Sequence, residues 1–193
     1  MDAPNYRSLL LKHHWMNGVL CLLMLGLSIG LPQERLWLDQ HLTMNGQWWR
    51  LLTGHLVHSN STHLLMNLSV FLLVIFCFEN IGSWIKNTLV IVFISLGLSF
   101  YLLSFTDHHY LGFSGTLHGY LVYCLISDLT ANQKANGFML GLIALKLLTE
   151  TLNIPIDGGL TASLIGTPIA YSSHLMGACL GALFGLVNLF HKS

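Results

Sequence analysis

The sequence predicts an all-α membrane protein in which six transmembrane helices form one bundle and the first connection lies along the membrane interface. Three observations predict this. Only 8% of the 193 residues are charged, against 53% apolar, whereas a soluble domain carries about 25% charge. Six mostly apolar stretches approach the ~20 residues that a spanning helix needs. Trp37, Trp48 and Trp49 crowd one connection, as aromatic residues do at the headgroup level.

The first expected span, 15–31, follows Arg7 and Lys12 in the manner of a signal peptide. The next residues, Pro32-Gln33-Glu34-Arg35, offer no small-residue cleavage site, so an uncleaved helix is expected. The connection 32–62 is the interfacial one. Spans at 63–79, 84–104, 115–130, 136–152 and 173–190 complete a single domain over 1–193. Between the last two, Pro155, Gly158, Gly159 and Pro168 prevent a continuous helix, which makes 153–172 a candidate lid. Six spans put both termini on one side with Arg7, Lys12, Lys86, Lys134 and Lys192, leaving Arg35 and Arg50 opposite. An excess of Lys and Arg marks the cytoplasmic side. The first loop, the Ser114 end of the fourth span and the candidate lid are therefore expected to face outward.

Composition also excludes. Eight basic and eight acidic residues balance, so no basic face exists to neutralise phosphates and no nucleic-acid partner is expected. Cys21, Cys77, Cys124 and Cys179 each lie in an apolar run, where burial as small hydrophobes is expected in place of disulfides or a redox pair.

Strongly polar residues inside a bilayer are expensive and point to function. They concentrate in three places: His63 with Asn67, four residues apart on one helix face; Gly112-Phe113-Ser114-Gly115 with His118; and His174. The topology brings all three to the outer side. A serine needs a neighbouring base before it attacks a carbonyl, and the tetrahedral intermediate needs donors aimed at its oxygen. These residues can supply every role. Gly115 and Gly119 on one helix and Gly177, Gly181 and Gly185 on another allow close packing that would bring His174 toward Ser114. His118, one turn from Ser114, is a second candidate base. A facing helix presents an imidazole more directly, which ranks His174 first and makes His118 its packing or hydrogen-bonding partner. No acid belongs to this set, so a Ser-His dyad is implied. Lys146 and Glu150, one turn apart, read as a structural or snorkelling pair. His55 and His58 read as structural loop residues, and His13, His14, His41, His108, His109 and His191 as interfacial or solvated.

These residues carry a resemblance. Gly112-Phe113-Ser114-Gly115 resembles the GxSG motif of the rhomboid intramembrane proteases, and His63-Leu64-Leu65-Met66-Asn67 resembles their HxxxN motif. His174-Leu175-Met176-Gly177 with Gly181 is similar to their catalytic-histidine helix, and Trp49-Arg50 to their first-loop pair. The order agrees from about 15 to 190. The resemblance implies a rhomboid-like bundle and a Ser-His intramembrane serine protease without cofactor or metal, in which Ser114 is nucleophile and His174 base. His63, Asn67 and the Ser114 backbone N–H would form the oxyanion hole. Arg50 and His58 would organise the first loop, and Glu79, at the cytoplasmic end of the second span, would be a structural acid. His118 stands where many rhomboids have tyrosine. With Ser114-Gly115-Thr116-Leu117-His118 and a compact chain, the closer resemblance is to the bacterial rhombosortases. That subgroup implies a bacterial inner membrane location and membrane-anchored protein substrates with C-terminal Gly-Gly anchors. Oligomeric state is not legible.

Two other classes compete. An inactive rhomboid-like protein would bind membrane segments without cutting them. A metal site would draw on His55, His58, His63, His118 and His174, although no HExxH is present.

Overall fold

The computed structural model describes residues 6–106, 108–154 and 156–192, with side chains between Trp15 and His191. Pro155 and the side chains of Arg7, Lys12, His13, His14 and Lys192 lie outside the described residues. The helices are α1 (Tyr6–Gly30), α2 (Gln40–Met44), α3 (Arg50–Leu56), α4 (Ser61–Cys77), α5 (Trp84–Phe105), α6 (Ser114–Ser127), α7 (Gln133–Thr151), α8 (Leu160–Ile165) and α9 (Tyr171–Lys192). No extended sheet forms among the described residues; Leu38 and Tyr110 make an isolated antiparallel bridge.

Local chemistry sets several boundaries. Asp39 accepts from the Leu42 N–H, Asn60 from the His63 N–H and Ser83 from the Lys86 N–H, capping α2, α4 and α5. Gly159 and Gly166, at φ 89° and 68°, bracket α8 within the candidate lid. Helices α4 to α7 and α9 lie within three residues of the segments expected from sequence, while α1 begins earlier, at Tyr6. α5 and α9 are each long and apolar enough to cross a bilayer, and α3 with α4 would pass jointly but for a 92° bend between them. The first connection is more ordered than its composition suggested, since it holds α2 and α3. One expectation needs correction: Cys124 is buried and Cys21 partly so, but Cys77 and Cys179 are exposed on the bundle's outside. Burial inside the protein is not required where the surroundings are themselves apolar. The same outer surface carries Phe76, Phe105, Phe138 and Phe190, an apolar exposure suited to lipid.

α6 is the central helix, buried along nearly its whole length from Gly115 to Ser127. It packs most closely against α9. A Cβ on Gly177 would overlap the carbonyl oxygen of Gly115, and one on Gly181 would overlap that of Gly119. Reciprocally, a Cβ on Gly119 would come within 2.5 Å of the Gly177 carbonyl oxygen. The two backbones therefore touch where side chains would otherwise hold them apart. Behind them, Phe71, Phe113, Tyr120 and Tyr123 fill the core between α4 and α6.

The contact predicts a difference between glycines. Gly177→Ala must push two backbones apart and should cost about 1–3 kcal/mol, as overpacking does. Gly141 on α7 has nothing within 4 Å of a would-be Cβ, so Gly141→Ala should be neutral or stabilising by up to about 1 kcal/mol through helix propensity. Thermal unfolding of the two variants in detergent checks this; equal midpoints would contradict it.

Candidate active site

Three helix ends meet at one side of the bundle. α6 starts at Ser114 with no side-chain cap, so the first N–H groups of that helix, including that of Ser114, have no intrahelical acceptor. They form a positive end suited to a developing oxyanion. Gly112, at φ 117°, makes the turn before it, where a Cβ would meet the His63 ring at 2.6 Å. The turn is held by Gly112 N–H donating to the Gly54 carbonyl and by the paired bonds of Leu38 with Tyr110. His174, in the first turn of α9, presents Nε2 to Ser114 Oγ at 3.0 Å.

The protons around this pair have one self-consistent arrangement. For Ser114 to donate, His174 Nε2 must carry the lone pair, so the ring proton sits on Nδ1. Nδ1 lies 3.0 Å from Glu150 Oε2, which can only accept. The other carboxylate oxygen accepts from Lys146 Nζ. His118 is arranged the opposite way. Its Nδ1 is 2.8 Å from the Ser114 carbonyl and must donate, so Nε2 accepts from Lys146 Nζ at 3.0 Å. Both His118 nitrogens are thus engaged away from Ser114 Oγ. The ring instead stacks on His174, with centroids 4.2 Å apart and planes 17° from parallel.

His63 and Asn67 line the same cavity, about 550 Å³, as Ser114 and His174. Asn67 Nδ2 donates to the His63 carbonyl at 3.1 Å, which leaves its second N–H for another acceptor. His63 is more constrained. Ser59 Oγ lies 2.6 Å from the Ile165 carbonyl, to which it donates, and 3.0 Å from His63 Nδ1. With its one proton on the carbonyl, Ser59 Oγ can accept from Nδ1–H, whereas the Ser59 backbone N–H, 3.5 Å from the same nitrogen, calls for a lone pair there and the ring proton on Nε2. With the proton on Nε2, His63 can donate into the cavity, and a Ser59 hydroxyl turned from Ile165 to Nδ1 would reinforce that tautomer. The same bond, with Asn60 Nδ2 donating to the Leu164 carbonyl at 3.0 Å, fastens α8 over the start of α4.

The remaining sequence candidates lie farther out. Arg50 is buried and donates to the carbonyls of Glu34 and Trp37 and to Gln47 Oε1, binding the first loop together. Trp49 is exposed and reaches the Arg35 carbonyl at 3.4 Å. His58 lies 3.2 Å from Ser28 Oγ, joining the first loop to α1. Burial drives its ring down to about 3 and that of His55 to about 4, so both stay neutral near pH 7. Glu79 is exposed just past the end of α4. Among the described residues no group of three His, Cys, Asp or Glu side chains is arranged to hold a metal ion.

Sequence reasoning missed two features. His55 bridges Ser99 Oγ (2.8 Å) and Thr116 Oγ1 (3.2 Å), tying α3 to α5 and α6 immediately behind Ser114. Glu150 was set apart as a partner of Lys146, yet it also bonds His174. The only sequence signal was an acid inside an apolar helix.

Two known-protein comparisons bear on the family. The family model described as "Rhomboid domain" matches residues 45–190. The protein named "Putative rhomboid protease YdcA" from Bacillus subtilis (strain 168) is 28% identical over 157 residues, covering 77% of this chain and 71% of that protein.

The two histidines should separate cleanly. His118→Phe keeps a ring on His174 and should retain labelling of Ser114 by a fluorophosphonate within about tenfold, whereas His174→Ala should abolish it. Labelling that survives in His174→Ala and is lost in His118→Phe would reverse the assignment.

Proposed function

Because the chain belongs to the rhomboid family and is an integral multi-pass membrane protein, we propose that it is an intramembrane serine endopeptidase that cleaves single-span membrane-anchored proteins. The observation that carries this reading is the 3.0 Å approach of His174 Nε2 to Ser114 Oγ at an uncapped helix start. Ser114 attacks the scissile carbonyl and its proton passes to His174, which returns it to the leaving amine; water then hydrolyses the acyl-enzyme by the same route. The Ser114 N–H and Asn67 supply oxyanion donors, joined by His63 when its ring proton is on Nε2.

Depth follows from length. α6 has 14 residues, about 21 Å of helix, against a hydrocarbon core of about 30 Å. With the far end of α6 at the cytoplasmic interface, Ser114 lies below the outer surface, where water reaches it only through the cavity. Both termini are then cytoplasmic and cleavage is on the outer side, in the inner membrane of a bacterium. A substrate must leave its helix to offer a carbonyl, because helical carbonyls are already bonded. Glycine eases this by about 1 kcal/mol per residue relative to alanine. The rhombosortase-like features therefore favour anchors with Gly-Gly near the outer surface, and α8 with its flanking glycines is a gate above the site.

Co-expression with a Gly-Gly-anchored substrate tests the reading. Ser114→Ala, His174→Ala and the double variant should be equally inactive, since the pair acts as a unit. Asn67→Ala should lose about two to three orders of magnitude in turnover. Replacing the anchor's glycines with leucine should suppress cleavage, and efficient cleavage of an all-leucine anchor would refute the substrate class.

A further inference from the structure

Glu150 has an environment that a simple structural pair does not need. It is 7% exposed near the C-terminal end of α7, where an unpaired buried charge is strongly disfavoured. Snorkelling would carry the Lys146–Glu150 pair outward to the interface; instead the carboxylate turns inward. Its two oxygens are divided, Oε1 to Lys146 Nζ and Oε2 to His174 Nδ1 at 3.0 Å. Lys146 supplies the compensating charge, and His174 receives the acceptor that its Nδ1–H requires.

We infer that Glu150 is a positioning residue for His174, so that the reacting unit is Ser114–His174–Glu150, a triad spread over α6, α9 and α7. The inference rests on the protease reading above and extends it. Glu150 touches neither substrate nor the reacting oxygen. It fixes the tautomer that leaves Nε2 free to take the Ser114 proton, and it holds the ring plane against rotation. When Oγ bonds to the substrate carbonyl carbon, the proton moves to Nε2 and the ring becomes an imidazolium; the Nδ1 proton stays on Nδ1, facing a carboxylate that remains ionised. As the acyl-enzyme forms, the Nε2 proton goes to the leaving amine and the ring returns to neutral. In an apolar site the counter-ion matters more than it would in water. The groups that face His174 are Glu150 and Lys146 from α7, His118 and Ser114 from α6, His63 from α4 and Tyr171 from its own helix. Of these, Glu150 is the acid at Nδ1.

Steady-state cleavage of a single-span Gly-Gly-anchored substrate by the full-length protein in detergent gives the test. Glu150→Gln should lower kcat by about 10²–10⁴-fold while KM stays within about threefold, because the interaction is made in the transition state. Glu150→Asp, which keeps the charge one methylene farther back, should recover part of that loss. Should Glu150→Gln strand Lys146 and fail to fold, Lys146→Met with Glu150→Gln removes both charges and should show the same kcat defect, measured against Lys146→Met. A folded Glu150→Gln protein, or a folded double variant, with kcat within threefold of its reference would overturn the inference. If Ser114→Ala still cleaves the substrate, the protease reading itself fails, and that outcome is separate.

Discussion

Two helix backbones in direct contact determine where everything else can stand. With no Cβ on Gly115, Gly119, Gly177 or Gly181, α6 and α9 approach until carbonyl oxygens meet Cα atoms. That spacing converts two residues sixty positions apart into a hydrogen-bonded pair. Lipid offers no hydrophobic force to press helices together, so close van der Waals contact over a glycine face is the available means. The contact also fixes direction: both helices begin at the same end of the bundle, with Ser114 and His174 in their first turns. The rest of the fold then supports that junction. His55, Ser99 and Thr116 bind the first loop behind it, and Phe113 buries itself against Phe71 directly before it.

Polar groups follow a second rule, that each proton in a dry interior needs a defined owner. Around Ser114 the rule can be applied atom by atom. One Lys146 ammonium serves both His118 and Glu150, and those two engage the backbone carbonyl of Ser114 and the ring of His174. A histidine at 118 in place of the tyrosine common in the family makes sense in this light. Its Nδ1 and Nε2 meet the Ser114 carbonyl and Lys146 from different edges of one ring, a separation that a single hydroxyl oxygen does not provide.

Much of this was legible in the sequence, and the reasons differ by element. Hydropathy located the long helices because each carries an extended apolar run, and residue spacing picked out His63 with Asn67, Ser114 with Gly115, and the glycine face that follows His174. The role of Arg50 as an organiser of the first loop came from resemblance alone, and the geometry supplied its physical content in the carbonyls that its guanidinium gathers. What stayed hidden depended on rotation about a helix axis. Glu150 and Lys146 at i, i+4 read equally well as a pair facing lipid headgroups or facing inward, and periodicity in a helix exposed on most sides does not decide between them. Nor could sequence reveal that the Ser59 hydroxyl is shared between Ile165 and His63, since those partners are 106 and 4 residues away.

The position of Glu150 has a consequence for traffic through the cavity. Ile143, Lys146, Thr149 and Glu150 make α7 one wall of that space, with α4 contributing another. A wall that swings aside to admit a polypeptide carries its carboxylate away from His174 as it goes. Were entry to use that wall, admission and proton transfer could not occur in the same instant: an open doorway would be a disarmed one. A segment that merely wedged α7 outward would then part Glu150 from His174, whereas one slender enough to let the helix return would restore the contact. Selection between passengers would then be made by the door closing behind them.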